Sequence, residues 1–130
     1  MKRLIAVVAT ALLSACASTA EYAQLKGEVF YLQRIALPEN ATLSVSLLDV
    51  SLADAPAKVL AQQNGPIKGQ VPLPFELSYD PAQLKDGHRY AVSARIEANG
   101  QLLWLTTDHQ GVQLDGSDPQ LLKLRLNPAR

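Results

Sequence analysis

Reactive side chains are scarce in this chain of 130 residues, which has one cysteine, Cys16, and two histidines, His88 and His109. A lone cysteine excludes an intrachain disulfide and a multi-cysteine metal site. A hydrolytic triad needs a histidine next to a nucleophile and an orienting acid, and a zinc site needs three or four ligands. The two histidines lie far apart in the sequence, and no spacing completes either set. We therefore expect no enzymatic activity, no catalytic residue, no cofactor and no bound metal.

The chain also lacks an excess of charge of either sign and a long apolar run. Twelve basic and twelve acidic residues give a formal net charge of zero, which excludes the basic footprint of a nucleic-acid-binding protein. The longest apolar run, residues 4–13, is too short for a transmembrane helix, which needs about 20 residues.

The apolar run has the flanks of a secretory signal peptide. Lys2 and Arg3 precede it, and the small residues of Leu13-Ser14-Ala15-Cys16 follow it. This ending resembles a bacterial lipobox, in which the peptide is cut before the cysteine and a fatty acid is attached to its thiol. The sequence predicts a lipoprotein signal peptide over residues 1–15 and lipidation of Cys16. The alternative is an ordinary signal peptide with an incidental cysteine.

Residues 16–25 are predicted to form a lipidated tether and residues 26–127 a single domain. Loss of residues 1–15 removes Lys2 and Arg3 but no acid, which leaves ten basic and twelve acidic residues. Acyl chains on Cys16 would hold the protein at a membrane. In enteric-type envelopes an aspartate after the cysteine favours the inner membrane, whereas Ala17 stands here. We therefore expect the periplasmic face of the outer membrane.

The sequence of the domain predicts short strands separated by turns. Apolar residues alternate with polar ones in residues 42–47, 75–79, 90–97 and 122–126, and a further strand is expected at 29–34. Asn99-Gly100 is a strong signal for a two-residue hairpin turn. The spacing predicts an all-β fold, a monomeric antiparallel β-sandwich or small barrel of about seven strands.

Two polar features lie at the ends of these strands. Asp80-Pro81 begins one helical turn, with Asp80 as N-cap and Pro81 at the first position. Asp49 follows a strand in line with inward-facing residues, so we expect its carboxylate to accept backbone N–H bonds from the next turn, capped by Ser51 and Asp54. A ligand-binding acid at a loop mouth is the alternative.

The hairpin after Asn99-Gly100 is the candidate partner surface. Leu102, Trp104 and Thr106 share one face by two-residue alternation, and Leu103 and Leu105 share the other. If the second face fills the core, the first forms an exposed apolar patch of the kind that marks an interaction site. In the other case Trp104 is a core residue.

Four stretches resemble one family. They are residues 27–41 (GEVFYLQRIALPENA), 43–56 (LSVSLLDVSLADAP), 74–81 (PFELSYDP) and 90–96 (YAVSARI). Together they resemble the YbaY-type lipoproteins, grouped with the YscW-type lipoprotein chaperones, or pilotins, of type III secretion. The resemblance implies a β-sandwich lipoprotein of the outer membrane, and pilotin members are thought to bind a secretin subunit.

We therefore expect a non-enzymatic lipoprotein whose domain binds a periplasmic protein. A secretin-like component is one candidate partner. The lipid would supply the membrane address, and an apolar groove or sheet edge would hold the partner. The alternatives are an envelope housekeeping or small-molecule-binding lipoprotein with no secretion role and, third, a hydrolase.

Overall fold

The computed structural model describes residues 21–129. Within this range none of the helices is long and apolar enough to cross a membrane. Nine strands and one 3₁₀ helix make up its regular structure: β1 (Ala23–Phe30), β2 (Thr42–Asp49), β3 (Lys58–Pro66), β4 (Leu73–Tyr79), the 3₁₀ helix (Pro81–Gln83), β5 (Tyr90–Ala98), β6 (Gln101–Leu105), β7 (Gly111–Val112), β8 (Leu122–Arg125) and β9 (Asn127–Pro128).

The strands form two sheets, which confirms the all-β prediction. The smaller sheet has the order β4-β1-β8, and the larger has the order β3-β2-β5-β6-β9, with β7 paired to the start of β5. One pairing departs from the expected antiparallel arrangement, because β8 runs parallel to β1. Side-chain alternation is the same in parallel and antiparallel strands, so the sequence pattern did not reveal this direction.

Alternating residues of both sheets meet in one core, as the sequence predicts. Buried residues recur at every second position in β1, β2, β4, β5 and β8, whereas β3 and β6 bury one residue each. These include Leu43, Val45 and Leu47 of β2, Phe75, Leu77 and Tyr79 of β4, Tyr90, Val92, Ala94 and Ile96 of β5, and Leu122 and Leu124 of β8.

Both turn predictions are confirmed. Asp80 caps the 3₁₀ helix, with its Oδ1 accepting the Ala82 N–H at 2.9 Å and Pro81 at the first position. Asn99 and Gly100 have φ values of +53° and +75°, the left-handed region that the primed hairpin turns require.

Several predicted boundaries are wrong. The first strand ends at Phe30 instead of covering 29–34, and it begins at Ala23, inside the predicted tether, because Ala23 pairs with Tyr79 of β4. Two short strands that the sequence analysis did not predict, β7 paired with β5 and β9 paired with β6, bring the count to nine, against about seven expected. Long-range pairing decides these ends, and local sequence carries little information about it.

Gly27 lets β1 lie close to its neighbours. A Cβ atom at this position would stand 2.5 Å from the Leu122 carbonyl oxygen and 2.5 Å from the Phe75 ring. The backbone of β8 and the ring of Phe75 therefore occupy the space that a larger side chain would need.

Candidate partner-binding surface

The predicted lipobox residues, Leu13, Ser14, Ala15 and Cys16, lie outside the described residues. Lipid attachment at Cys16 therefore stays a prediction from the sequence.

A β-bulge in β6 rearranges the predicted hairpin face. Ile96 of β5 pairs with Trp104 and Glu97 pairs with Leu102, so Leu103 is an extra residue in β6. A bulge of this kind interrupts two-residue alternation. Leu102 consequently shares the outer face with Glu97, whereas Trp104 lies with Ile96 on the inner face.

Trp104 is a core residue, so its prediction as part of an exposed patch with Leu102 and Thr106 is wrong. Its side chain is 5% exposed, against 39% for Leu102. The indole stacks on the ring of Tyr31, with centroids 3.9 Å apart and planes inclined by 5°. Thr106 is half-buried, and its backbone N–H donates to the Ala94 carbonyl at 2.9 Å.

The outer face of the larger sheet instead carries a shallow groove of about 460 Å³. Three small side chains from the two central strands form its floor, and three leucines border it. The serines are Ser44, Ser46 and Ser93, and the leucines are Leu48, Leu102 and Leu105.

Small side chains in the middle of the sheet make this groove. Ser46 of β2 lies directly opposite Ser93 of β5, so two of the smallest polar side chains are adjacent at its centre. Arg95 also lines the groove, and its Nη2 lies 2.8 Å from Oε1 of Glu97. The face thus offers apolar contact along the leucines, hydroxyl groups on the floor and a guanidinium group for hydrogen bonding.

A second hollow lies where β6 meets the terminal segment. It has a volume of about 600 Å³ and is lined by residues 101–103 together with Pro128 and Ala129. Leu102 lines both cavities. The groove and this hollow therefore adjoin at Leu102, and we call the two together the β6 groove surface.

A separate polar cluster joins the end of β2 to the loop before β5. Asp49 Oδ1 accepts the backbone N–H of Ser51 at 3.0 Å and its hydroxyl at 2.5 Å, while Oδ2 lies 2.6 Å from Nδ1 of His88. The Ser51 hydroxyl in turn accepts the Arg89 N–H at 2.8 Å. The predicted turn contact of Asp49 with Ser51 is confirmed, but Asp54 is exposed and takes no part, so its predicted capping role is wrong.

The order of these hydrogen bonds differs from that of a hydrolytic triad. A serine nucleophile is activated by a histidine that stands between it and the carboxylate. Here Asp49 stands in the middle and accepts hydrogen bonds from both Ser51 and His88. The contact with His88 is invisible to local sequence analysis, because 39 positions separate the two residues.

His88 and His109 line the same small pocket, although they lie far apart in the sequence. The antiparallel pairing of β7 with the start of β5 brings the loop of His109 to this end of the sheet. No group of three or more His, Cys, Asp or Glu side chains that could hold a metal ion occurs within residues 21–129.

The cluster predicts a pH dependence of stability. The hydroxyl of Ser51, followed by the hydrogen bond from His88, lowers the pKa of Asp49 from 3.8 to about 2. A carboxyl with a lowered folded-state pKa stabilises the fold fully above its ordinary pKa, and this contribution is lost as the pH falls toward 2. We expect Asp49→Asn to reduce stability at pH 7 and to flatten its decline between pH 4 and 2, as measured by urea unfolding. Asp54→Asn, in the same loop, is the control, and equal pH profiles for wild type and Asp49→Asn would contradict the prediction.

The solved structure of an alternative pilotin from the type II secretion system of Vibrio cholerae has the same architecture. The two chains are 47% identical and superpose with a TM-score of 0.78 over 85% of this chain and 99% of the pilotin. The fold is thus a pilotin-like β-sandwich.

Sequence comparison defines the family. The sequence model described as type III secretion system lipoprotein chaperone (YscW) matches residues 20–124, so this chain belongs to the YscW family, as its resemblance predicts. The lipoprotein YbaY of Escherichia coli K12 is 44% identical over 89 residues, 68% of this chain and 47% of YbaY. The chain therefore spans about half the length of that curated relative.

Proposed function

We propose that this chain is an outer-membrane lipoprotein that binds a secretin-type subunit in the periplasm and assists its delivery or assembly. The observation that carries the proposal is the similarity to the Vibrio cholerae pilotin, which extends over 99% of that protein at 47% identity. Membership of a family of secretion lipoprotein chaperones supports the same role.

The protein acts as a monomeric, non-enzymatic tether. Lipid on Cys16 supplies the membrane address, and the sandwich supplies the recognition. Tethering confines the bound partner near the membrane and so raises its effective concentration there. The arrangement of Ser51, Asp49 and His88 supports a role without catalysis, because the serine hydroxyl donates to the carboxylate and not to the imidazole.

The β6 groove surface binds the partner. Both central strands beneath the groove are paired on each side, β2 with β3 and β5, and β5 with β2 and β6. The floor therefore presents side chains and no free backbone groups, and an extended segment lying on it would bury unpaired N–H and C=O groups. A helix satisfies its own backbone, so the groove fits an amphipathic helix whose apolar side contacts Leu48, Leu102 and Leu105.

The anchor can be tested by Cys16→Ser. We expect a fatty-acid analogue to label the wild type and not the variant, whose signal peptide stays uncut by the lipoprotein peptidase. In cells producing a secretin, the wild type should carry that secretin into the outer-membrane fraction, whereas Cys16→Ser should leave most of it outside that fraction.

Ser18→Ala is the matched control, because it changes a small residue near Cys16 outside the predicted lipobox. Equal labelling of wild type and Cys16→Ser would contradict the lipoprotein assignment. Normal labelling of the wild type with no effect on secretin location would contradict the secretin role and favour a housekeeping lipoprotein.

A further inference from the structure

The smaller sheet has two edges that are built differently. Its order β4-β1-β8 leaves one side of β4 and one side of β8 without a neighbouring strand. Free edges can pair with another chain, so proteins usually block them.

The β4 edge is blocked. Glu76 directs its N–H away from β1, where the side-chain Oε1 of Gln63 accepts it at 2.8 Å. Alternate residues of a strand direct their backbone groups to the same edge, so Pro74 occupies the preceding outward position and has no N–H to offer. A strand approaching β4 would thus find one donor used and another missing.

The β8 edge keeps its donors and acceptors. Leu126 donates its N–H to the Phe30 carbonyl at 2.7 Å, which fixes the edge that faces β1. By the same alternation, Leu122 and Leu124 direct their backbone groups toward β1, and Lys123 and Arg125 direct theirs away from it. Within the described range, no hydrogen bond outside the strand pairings uses the N–H or C=O groups of Lys123 and Arg125.

The side chains on this edge define the charge of what it can bind. Lys123 and Arg125 are both exposed, and neither forms an ion pair among residues 21–129. On the adjacent strand β1, Lys26 and Glu28 share their face, and Glu28 lies beside Lys123. The edge retains an excess of positive charge, so a second copy of the chain would bring like charges together across the new pairing.

We propose that β8 binds an extended acidic segment of another protein by adding it as a fourth strand to the smaller sheet. The free groups of Lys123 and Arg125 pair with its backbone, and their side chains pair with two acids spaced two residues apart. This site lies on the opposite sheet from the β6 groove surface and is independent of the secretin role.

A peptide titration tests the proposal. The probe is a fluorescein-labelled ten-residue peptide of alternating Glu and Val, measured by anisotropy against the full-length lipoprotein in neutral detergent. We expect saturable binding that weakens about tenfold when Lys123 and Arg125 are both changed to Gln. Lys26→Gln removes a cation from the same face but from a fully paired strand, so it should leave the affinity nearly unchanged.

Backbone pairing has its own test. N-methylation of one alternate set of peptide amides should abolish binding, and methylation of the other set should preserve it, because only one set faces β8. Lys123→Pro removes an N–H that β1 does not use, and it should weaken binding further than Lys123→Gln. If the proline variant fails to fold, the methylated peptides still decide the question.

Three results would overturn the proposal. Absence of peptide binding would mean that the cations only block strand pairing. Equal weakening by Lys26→Gln, or equal binding of both methylated peptides, would mean that the attraction is general and involves no added strand.

Discussion

Replacing Trp104 with alanine should lower the free energy of unfolding by about 3–5 kcal/mol. The indole is 5% exposed and stacks on Tyr31 at 3.9 Å, so truncation leaves a cavity and removes an aromatic contact. Domains of this kind are stabilised by only about 5–15 kcal/mol, and the change should therefore remove a large part of the total. Urea unfolding followed by far-ultraviolet circular dichroism measures the loss.

Two variants of the same hairpin region sharpen this result. Trp104→Phe keeps an aromatic ring against Tyr31 and should retain most of the stability. Leu102→Ala changes the outer face and should cost about 1 kcal/mol or less. If Trp104→Ala were as stable as Leu102→Ala, the core assignment of the indole would be wrong.

The contrast between Leu102 and Trp104 marks the limit of sequence analysis for this chain. Alternation alone places both on one face, and it correctly orients Leu43, Val45 and Leu47 in an unbroken strand. The extra residue Leu103 shifts the register by one, and a shift of one moves every following side chain to the opposite face. The local sequence does not indicate this bulge, because three leucines surround the tryptophan and any of them could face the core.

Features set by local backbone preference were predictable, and features set by distant pairing were not. Asn99-Gly100 adopts positive φ values because few other residues tolerate them, and Asp80 caps its helix through a bond to a residue two positions away. The contact of Asp49 with His88, the parallel pairing of β8 and the groove of serines all require segments from separate strands.

The candidate site, too, was predictable in its general class but not in its location. The composition pointed to recognition rather than catalysis, and the resemblance pointed to a secretion lipoprotein family, which the comparisons bear out. The surface itself could not be predicted, because outward serines on a strand indicate only a solvated face. Their role as a groove floor depends on the pairing of Ser46 with Ser93 and on the leucines of β6.

Filling this groove should strongly reduce capture of a secretin while leaving the fold intact. Ser46→Trp places a large ring at the centre of a groove of about 460 Å³, where it would occupy the position of the bound helix. The side chain points outward from a paired strand, and tryptophan is favoured in strands. The free energy of unfolding should therefore change by about 0.5 kcal/mol. We expect capture in a pull-down of co-produced secretin to fall at least tenfold.

Ser78→Trp is the matched control, because Ser78 is an outward-facing serine of β4 on the other sheet. It adds the same ring to the protein surface without entering the groove, and it should capture secretin as the wild type does. Loss of capture in Ser46→Trp alone assigns binding to the β6 groove surface. If both variants capture normally, the helix binds elsewhere on the domain; if both fail, the added ring acts through folding or solubility, which the urea measurement would reveal.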